Sequence, residues 1–155
     1  PAAVVHGVDG SAAMLRYGHE RVGREHVGER VVLTQALLPR DPPPARAYPI
    51  VISNSLLHHL HDPSVLWSIV KQFGAKGAHV FVMDLMRPAS MSDVDALVDE
   101  HAKGEPDVLR RDFHASLCAA FTIAEIDAQL RSAGLSSLTV KAVSDRHLTV
   151  VGSLP

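Results

Sequence analysis

His58, His59, His61 and Asp62 crowd into one short stretch near the middle of the chain. Imidazole and carboxylate are ligand types that zinc accepts, so H-H-x-H-D raises the possibility of a metal-dependent hydrolase. A structural site needs about four ligands converging on one point, whereas adjacent histidines on a helical turn point apart. The expectation is therefore no metal. Imidazole offers a second chemistry, proton abstraction near neutral pH, and His58 and His59 are the candidates for such a base. Asp9, Asn54 and Asp84 each close a short apolar run, where a polar side chain either satisfies a turn or faces a ligand. Nucleophilic catalysis has little to work with. The single cysteine, Cys118, sits among Leu117, Ala119 and Ala120, the setting of a buried, inert thiol. No G-x-S-x-G accompanies Ser11, Ser53 or Ser55, which leaves a serine hydrolase unsupported.

The elements that position these residues centre on residues 49–88. Two runs rich in β-branched residues, 50–52 and 79–83, read as strands buried on both faces, ending at Asn54 and Asp84. Between them Val65, Leu66, Ile69, Val70 and Phe73 recur at helical spacing after Asp62-Pro63, and Gly74 and Gly77 close the helix. This is a strand–helix–strand unit. In an open parallel sheet, ligands bind beyond the carboxyl ends of the strands, where Asn54, Ser55, His58, His59 and Asp84 fall. Ahead of it, residues 3–8 form a strand candidate ending at Asp9, and Ser11 or Asp9 can cap a helix over 12–22. Residues 30–33 give another strand, and the three successive prolines from Pro42 to Pro44 mark a surface loop. Beyond the central unit, helices are expected over 92–103, with Val94, Leu97, Val98 and His101 inward, and over 106–120, with Leu109, Phe113, Leu117 and Ala120 inward. A third helix opens on the capping-box pair Thr122 and Glu125, turns Ile123, Ile126, Leu130 and Ala133 inward, and stops at Gly134. Two terminal strands, 136–143 and 147–152, joined by Ser144-Asp145-Arg146, form an antiparallel hairpin. The fold class is α/β: a doubly wound, Rossmann-like, mostly parallel sheet with an antiparallel edge.

Bulk properties narrow the partners. With 155 residues, 46% hydrophobic and 21% charged, the chain suits one globular domain with a proper core. A net charge of −2 gives no electrostatic case for nucleic acid or an acidic membrane surface. No apolar run approaches the ~18 residues of a bilayer span. A lone cysteine suits a reducing compartment, so a cytoplasmic location is expected.

Four stretches, taken in order, resemble a class I S-adenosylmethionine-dependent methyltransferase. H-G-V-D-G-S-A-A-M-L (6–15) is similar to the family's second strand, V-I-S-N-S-L-L-H-H-L-H-D-P (51–63) to its fourth strand and following loop, and K-G-A-H-V-F-V-M-D-L-M-R-P (76–88) to its fifth. A-F-T-I-A-E-I-D-A-Q-L-R-S-A-G-L (120–135) is similar to the helix before its terminal hairpin. The resemblance implies S-adenosyl-L-methionine as cofactor and a small-molecule methyl acceptor. It implies that Asp9, with Gly10 and Ser11, receives the ribose hydroxyls, against the alternative that Asp9 is a helix cap. Gln35 and Ala36 would hold the adenine, and Asn54 and Ser55 would flank the sulfonium. His58 or His59 would take a proton from the acceptor, and Asp84, Arg87 and His114 would line its pocket, unless Arg87 simply pairs with Asp84. The resemblance also implies a first strand ahead of residue 1, ending in a glycine-rich loop. No G-x-G-x-G occurs in the chain, so residues 1–155 read as one methyltransferase-like domain incomplete at its amino end. The sheet would then carry a gap, to be satisfied by closure, by a partner chain or by a homodimer. A non-catalytic remnant acting through such association is the alternative from another class.

Overall fold

The computed structural model describes residues 3–41, 43–45 and 47–155. The chain divides into two compact units, residues 1–47 and 48–155, and each is described by itself. The proline at 42 lies outside the described residues; its neighbours 43–45 take neither helix nor strand.

The first unit is a strand–helix–strand unit of β1 (Val5–Asp9), α1 (Ala12–Arg24) and β2 (Val31–Gln35). The strands are parallel, with Val5 opposite Val31 and Asp9 opposite Gln35. Of the two capping alternatives Ser11 is the one that caps α1, while Asp9 holds the loop before it. The Ser11 hydroxyl accepts the Met14 N–H at 3.3 Å, and the Asp9 carboxylate accepts the Ser11 N–H at 2.7 Å. Leu33 of β2 fills the space that side chains at Gly7 and Gly18 would take, since a Cβ there would come within 2.7 and 2.8 Å of its methyl groups. Little else is packed: α1 buries no residue, and Met14 and Tyr17 are both 59% exposed.

The second unit holds the core. Its elements are β3 (Tyr48–Asn54), a 3-10 turn (Leu57–His59), α2 (Ser64–Phe73), β4 (Gly74–Leu85), α3 (Met91–His101), α4 (Asp107–Ala119), α5 (Ile123–Ser132), β5 (Leu138–Ala142) and β6 (His147–Ser153). The sheet runs β3-β4-β6-β5, with β3 parallel to β4 and β6 antiparallel to both neighbours. The expected mixed α/β architecture and terminal hairpin are present, and among the described residues the strands form two sheets. β4 is much longer than the run 79–83. Gly74 adopts an extended conformation directly after the last turn of α2 and pairs with Tyr48, so the strand begins where a connection was expected.

One face of this sheet packs Val80, Val82, Leu148 and Val150 against Leu66, Trp67 and Val70 of α2 and Ile126 and Leu130 of α5. A smaller cluster joins Val94, Val98 and Ala102 to Leu117. Leu109 and Ile123, expected inward, are 50% and 37% exposed. Both lie in the first turn of their helices, ahead of the stretch that meets a neighbour. Among the described residues, no helix is long and apolar enough to cross a membrane.

Candidate active site

The carboxyl ends of β1 and β2 form one rim. Asp9 and Gln35 stand opposite each other there, both exposed. Gln35 Nε2 donates to the Gly10 carbonyl at 3.1 Å, and the Ala36 N–H donates to the Asp9 carbonyl at 3.1 Å. These contacts hold the loops after both strands while leaving the Asp9 carboxylate in solvent.

The carboxyl ends of β3 and β4 form a second rim in the other unit. Asn54 closes β3, and Ser55 takes a left-handed conformation (φ 52°) while its N–H donates to the Met83 carbonyl at 3.0 Å. This left-handed residue turns the chain sharply, bringing the Leu57–His59 turn back over β4. Asp84 receives it. Its Oδ2 accepts the Leu57 N–H at 2.7 Å, and its Oδ1 accepts the Leu85 N–H at 2.9 Å and lies 2.6 Å from His58 Nδ1. The His58 and Asp84 side chains are only 4% and 1% exposed. An ionised carboxylate only accepts, so Nδ1 of His58 is the donor in this contact. His59 is exposed, its ring centroid 4.0 Å from that of His58. Burial, and then the His58 ring, hold its pKa below the usual imidazole value, against the pull of Asp84.

The remaining expected site residues are engaged elsewhere. Arg87 pairs with Glu125 and donates to the Ala120 carbonyl at 3.3 Å, so its carboxylate partner is not Asp84. His114 Nε2 lies 3.3 Å from Asp95, and its Nδ1 lies 3.8 Å from the Cys118 sulfur. Asp62 accepts the Ser64 N–H at 2.9 Å at the entrance to α2. Asp84 is buried beneath the turn rather than lining an open pocket. Among the described residues, the one group of acidic, histidine or cysteine side chains with ligand atoms close together is Glu100, His101 and Asp145, not the histidines at 58–61. Sequence reasoning missed that trio, whose members meet only because α3 packs beside the β5–β6 hairpin. It also missed His147. Burial and Arg146 hold its pKa down, opposed by Asp145 and by Asp84 across the sheet.

No family model and no curated protein matches the sequence. Solved structures do. A SAM dependent methyltransferase from Aquifex aeolicus superposes with a TM-score of 0.66 at 16% identity, over 98% of this chain and 69% of that one. An O-methyltransferase family protein from Burkholderia thailandensis gives 0.68 at 13% identity, over 97% and 43%. The plantazolicin methyltransferase BpumL, solved with a desmethylPZN analog and SAH, gives 0.74 at 9%, over 99% and 67%. The fold is that of class I S-adenosylmethionine-dependent methyltransferases. The chain spans only part of each neighbour, less than half of the Burkholderia protein. Within this methyltransferase fold, the quoted stretches fall on β1 and the start of α1, on β3 and its turn, on β4, and on α5.

Proposed function

We propose that this chain serves methyl transfer from S-adenosylmethionine to a small-molecule nucleophile in the cytoplasm. The observation that carries the reading is the buried His58–Asp84 pair at the carboxyl rim of a methyltransferase-like sheet. A carboxylate that holds Nδ1–H fixes the ring and leaves Nε2 as the nitrogen for proton transfer, the orientation a general base requires. His58 is thus the better anchored of the two candidate bases, and exposed His59 lies beside it. Asp84 acts through His58, while Arg87 and His114 remain the candidates for contact with the acceptor.

The residues present fit the nucleoside part of the cofactor. Asp9 holds an exposed, loop-anchored carboxylate at a strand tip, suited to two ribose hydroxyls, with Gly10 and Ser11 beside it. Gln35 and Ala36 follow at the adjacent tip for the adenine. The methionine part finds no counterpart, since the chain contains no G-x-G-x-G. When bound, the cofactor supplies an electrophilic methyl group; the protein contributes positioning, water exclusion and a proton acceptor. Calorimetric titration with S-adenosylhomocysteine tests this. Micromolar binding that Asp9→Ala weakens at least tenfold is expected, and no heat at millimolar ligand overturns it.

A further inference from the structure

The His58 side chain is only 4% exposed, so an acceptor reaches its imidazole only when whatever covers the ring moves aside. Part of that cover is α4, which lies against the Leu57–His59 turn, and α3 lies in turn against α4. These two helices stand apart from the main core. Val94, Val98 and Ala102 join Leu117 in a cluster of their own, with Leu97, Phe113 and Cys118 packed on it and Leu85 meeting it from the end of β4. The chain enters and leaves the pair at one place. Met86 and Phe121 form a parallel bridge there, and both pack on the main core. Beside the bridge the Arg87 N–H donates to the Phe121 carbonyl at 3.1 Å, and its guanidinium reaches the Ala120 carbonyl and Glu125.

The end of α3 is fastened to the hairpin by side chains. His101 Nε2 lies 2.6 Å from Asp145 Oδ2, and Arg146 Nη1 lies 2.8 Å from the same nitrogen. With a guanidinium seated on His101 and Asp145, this group is a fastening rather than a cation site. The hairpin turn is itself fixed, since the Arg146 carbonyl accepts the Met86 N–H at 2.8 Å. It also shares the rim of Asp84, because β4 and β5 both run antiparallel to β6 and so end on the same side. We propose that residues 88–119 are a lid over His58, hinged at the Met86–Phe121 bridge and latched by His101 and Asp145. Opening swings α4 off the turn and admits the acceptor to the imidazole. The hinge residues stay in the main core, so the sheet is undisturbed. What must give way is the contact with Leu85 and an ion pair whose side chains are 22% and 43% exposed, a weak restraint. A segment with its own small core and few ties opens below the free energy of global unfolding. This deepens the methyl-transfer reading and rests on it for the role of His58.

Hydrogen exchange of the full chain, read by mass spectrometry, is the first test. Amides of 91–119 are expected to open together and faster than those of α2, α5 and β4. Diethyl pyrocarbonate, which acylates accessible imidazole nitrogen, is expected to modify His59 quickly and His58 slowly. Asp145→Ala is expected to speed both lid exchange and His58 modification by about two- to fivefold, the range a partly exposed ion pair supports. Exchange in α5 stays unchanged, which separates lid opening from global unfolding. Should that variant not fold, His101→Ala removes the same contact from the other side. Amides of 91–119 that exchange only together with the main core overturn the lid. A folded latch variant in which His58 is modified no faster overturns it as well. When the lid opens as expected but S-adenosylhomocysteine gives no heat, the lid stands and the methyl-transfer reading alone falls.

Discussion

Asp84 is the residue on which most of the second unit's site depends. It receives two backbone amides and an imidazole N–H while almost wholly buried, so its charge is matched by donors rather than by water. Asp84→Asn turns an amide NH2 toward groups that are themselves donors. Leaving a buried donor without its acceptor typically costs about 1–3 kcal/mol, and a loss near the upper value is expected in urea unfolding. Acid should act through the histidines beside it. His59 and His147 are held below their ordinary pKa in the fold, so the fold favours their neutral forms. Their contribution is complete above the usual imidazole value of 6.5 and is lost as pH falls below it toward their depressed folded values. Urea midpoints measured from pH 7.5 to 5 should therefore decline, and His59→Gln should flatten the decline. A midpoint that rises toward pH 5 contradicts this assignment of sign.

At the scale of elements, α5 shows how local signals and packing divide the work. Its start is written in the chain: Thr122 N–H donates to Glu125 at 2.8 Å and the Glu125 N–H donates back to Thr122 Oγ1 at 3.3 Å. Thr122→Ala is expected to cost about 1 kcal/mol by chemical denaturation, and Thr122→Ser very little. What holds α5 in place is tertiary. Trp67 of α2 is buried beneath it, with Nε1–H donating to Gln129 Oε1 at 2.9 Å. Trp67→Ala removes that anchor together with a large core volume and should cost about 3–5 kcal/mol. The turn after β3 carries a different kind of stress. Ser55 holds φ 52° with a side chain attached, so Ser55→Gly is expected to be neutral or to stabilise by a few tenths of a kcal/mol.

At the scale of the molecule, the two units differ in what supports them. Residues 48–155 contain both apolar clusters, whereas α1 in residues 1–47 buries nothing. A fragment comprising 48–155 should therefore unfold cooperatively in scanning calorimetry, and the fragment 1–47 should show no transition. An absent transition in 48–155 contradicts the assignment of the core to that unit.

Much of this was legible before any coordinates. Alternating β-branched runs and amphipathic helices gave the α/β class, and Thr122 with Glu125 and Gly134 (φ 70°) bounded α5 because caps and left-handed stops are local chemistry. The tips carrying Asp9, Asn54 and Asp84 were legible for the same reason, since a polar residue ending an apolar run marks a strand end. Other features depended on contacts between distant residues. The partner of Arg87, the exposure of Leu109 and the meeting of His101 with Asp145 follow from helix packing that no short window contains. Sequence by itself determined which side chains stand at the strand ends. Only the tertiary structure decided that Asp84 turns inward to hold His58, because burial and hydrogen bonding between residues 26 positions apart are properties of the fold and not of the chain.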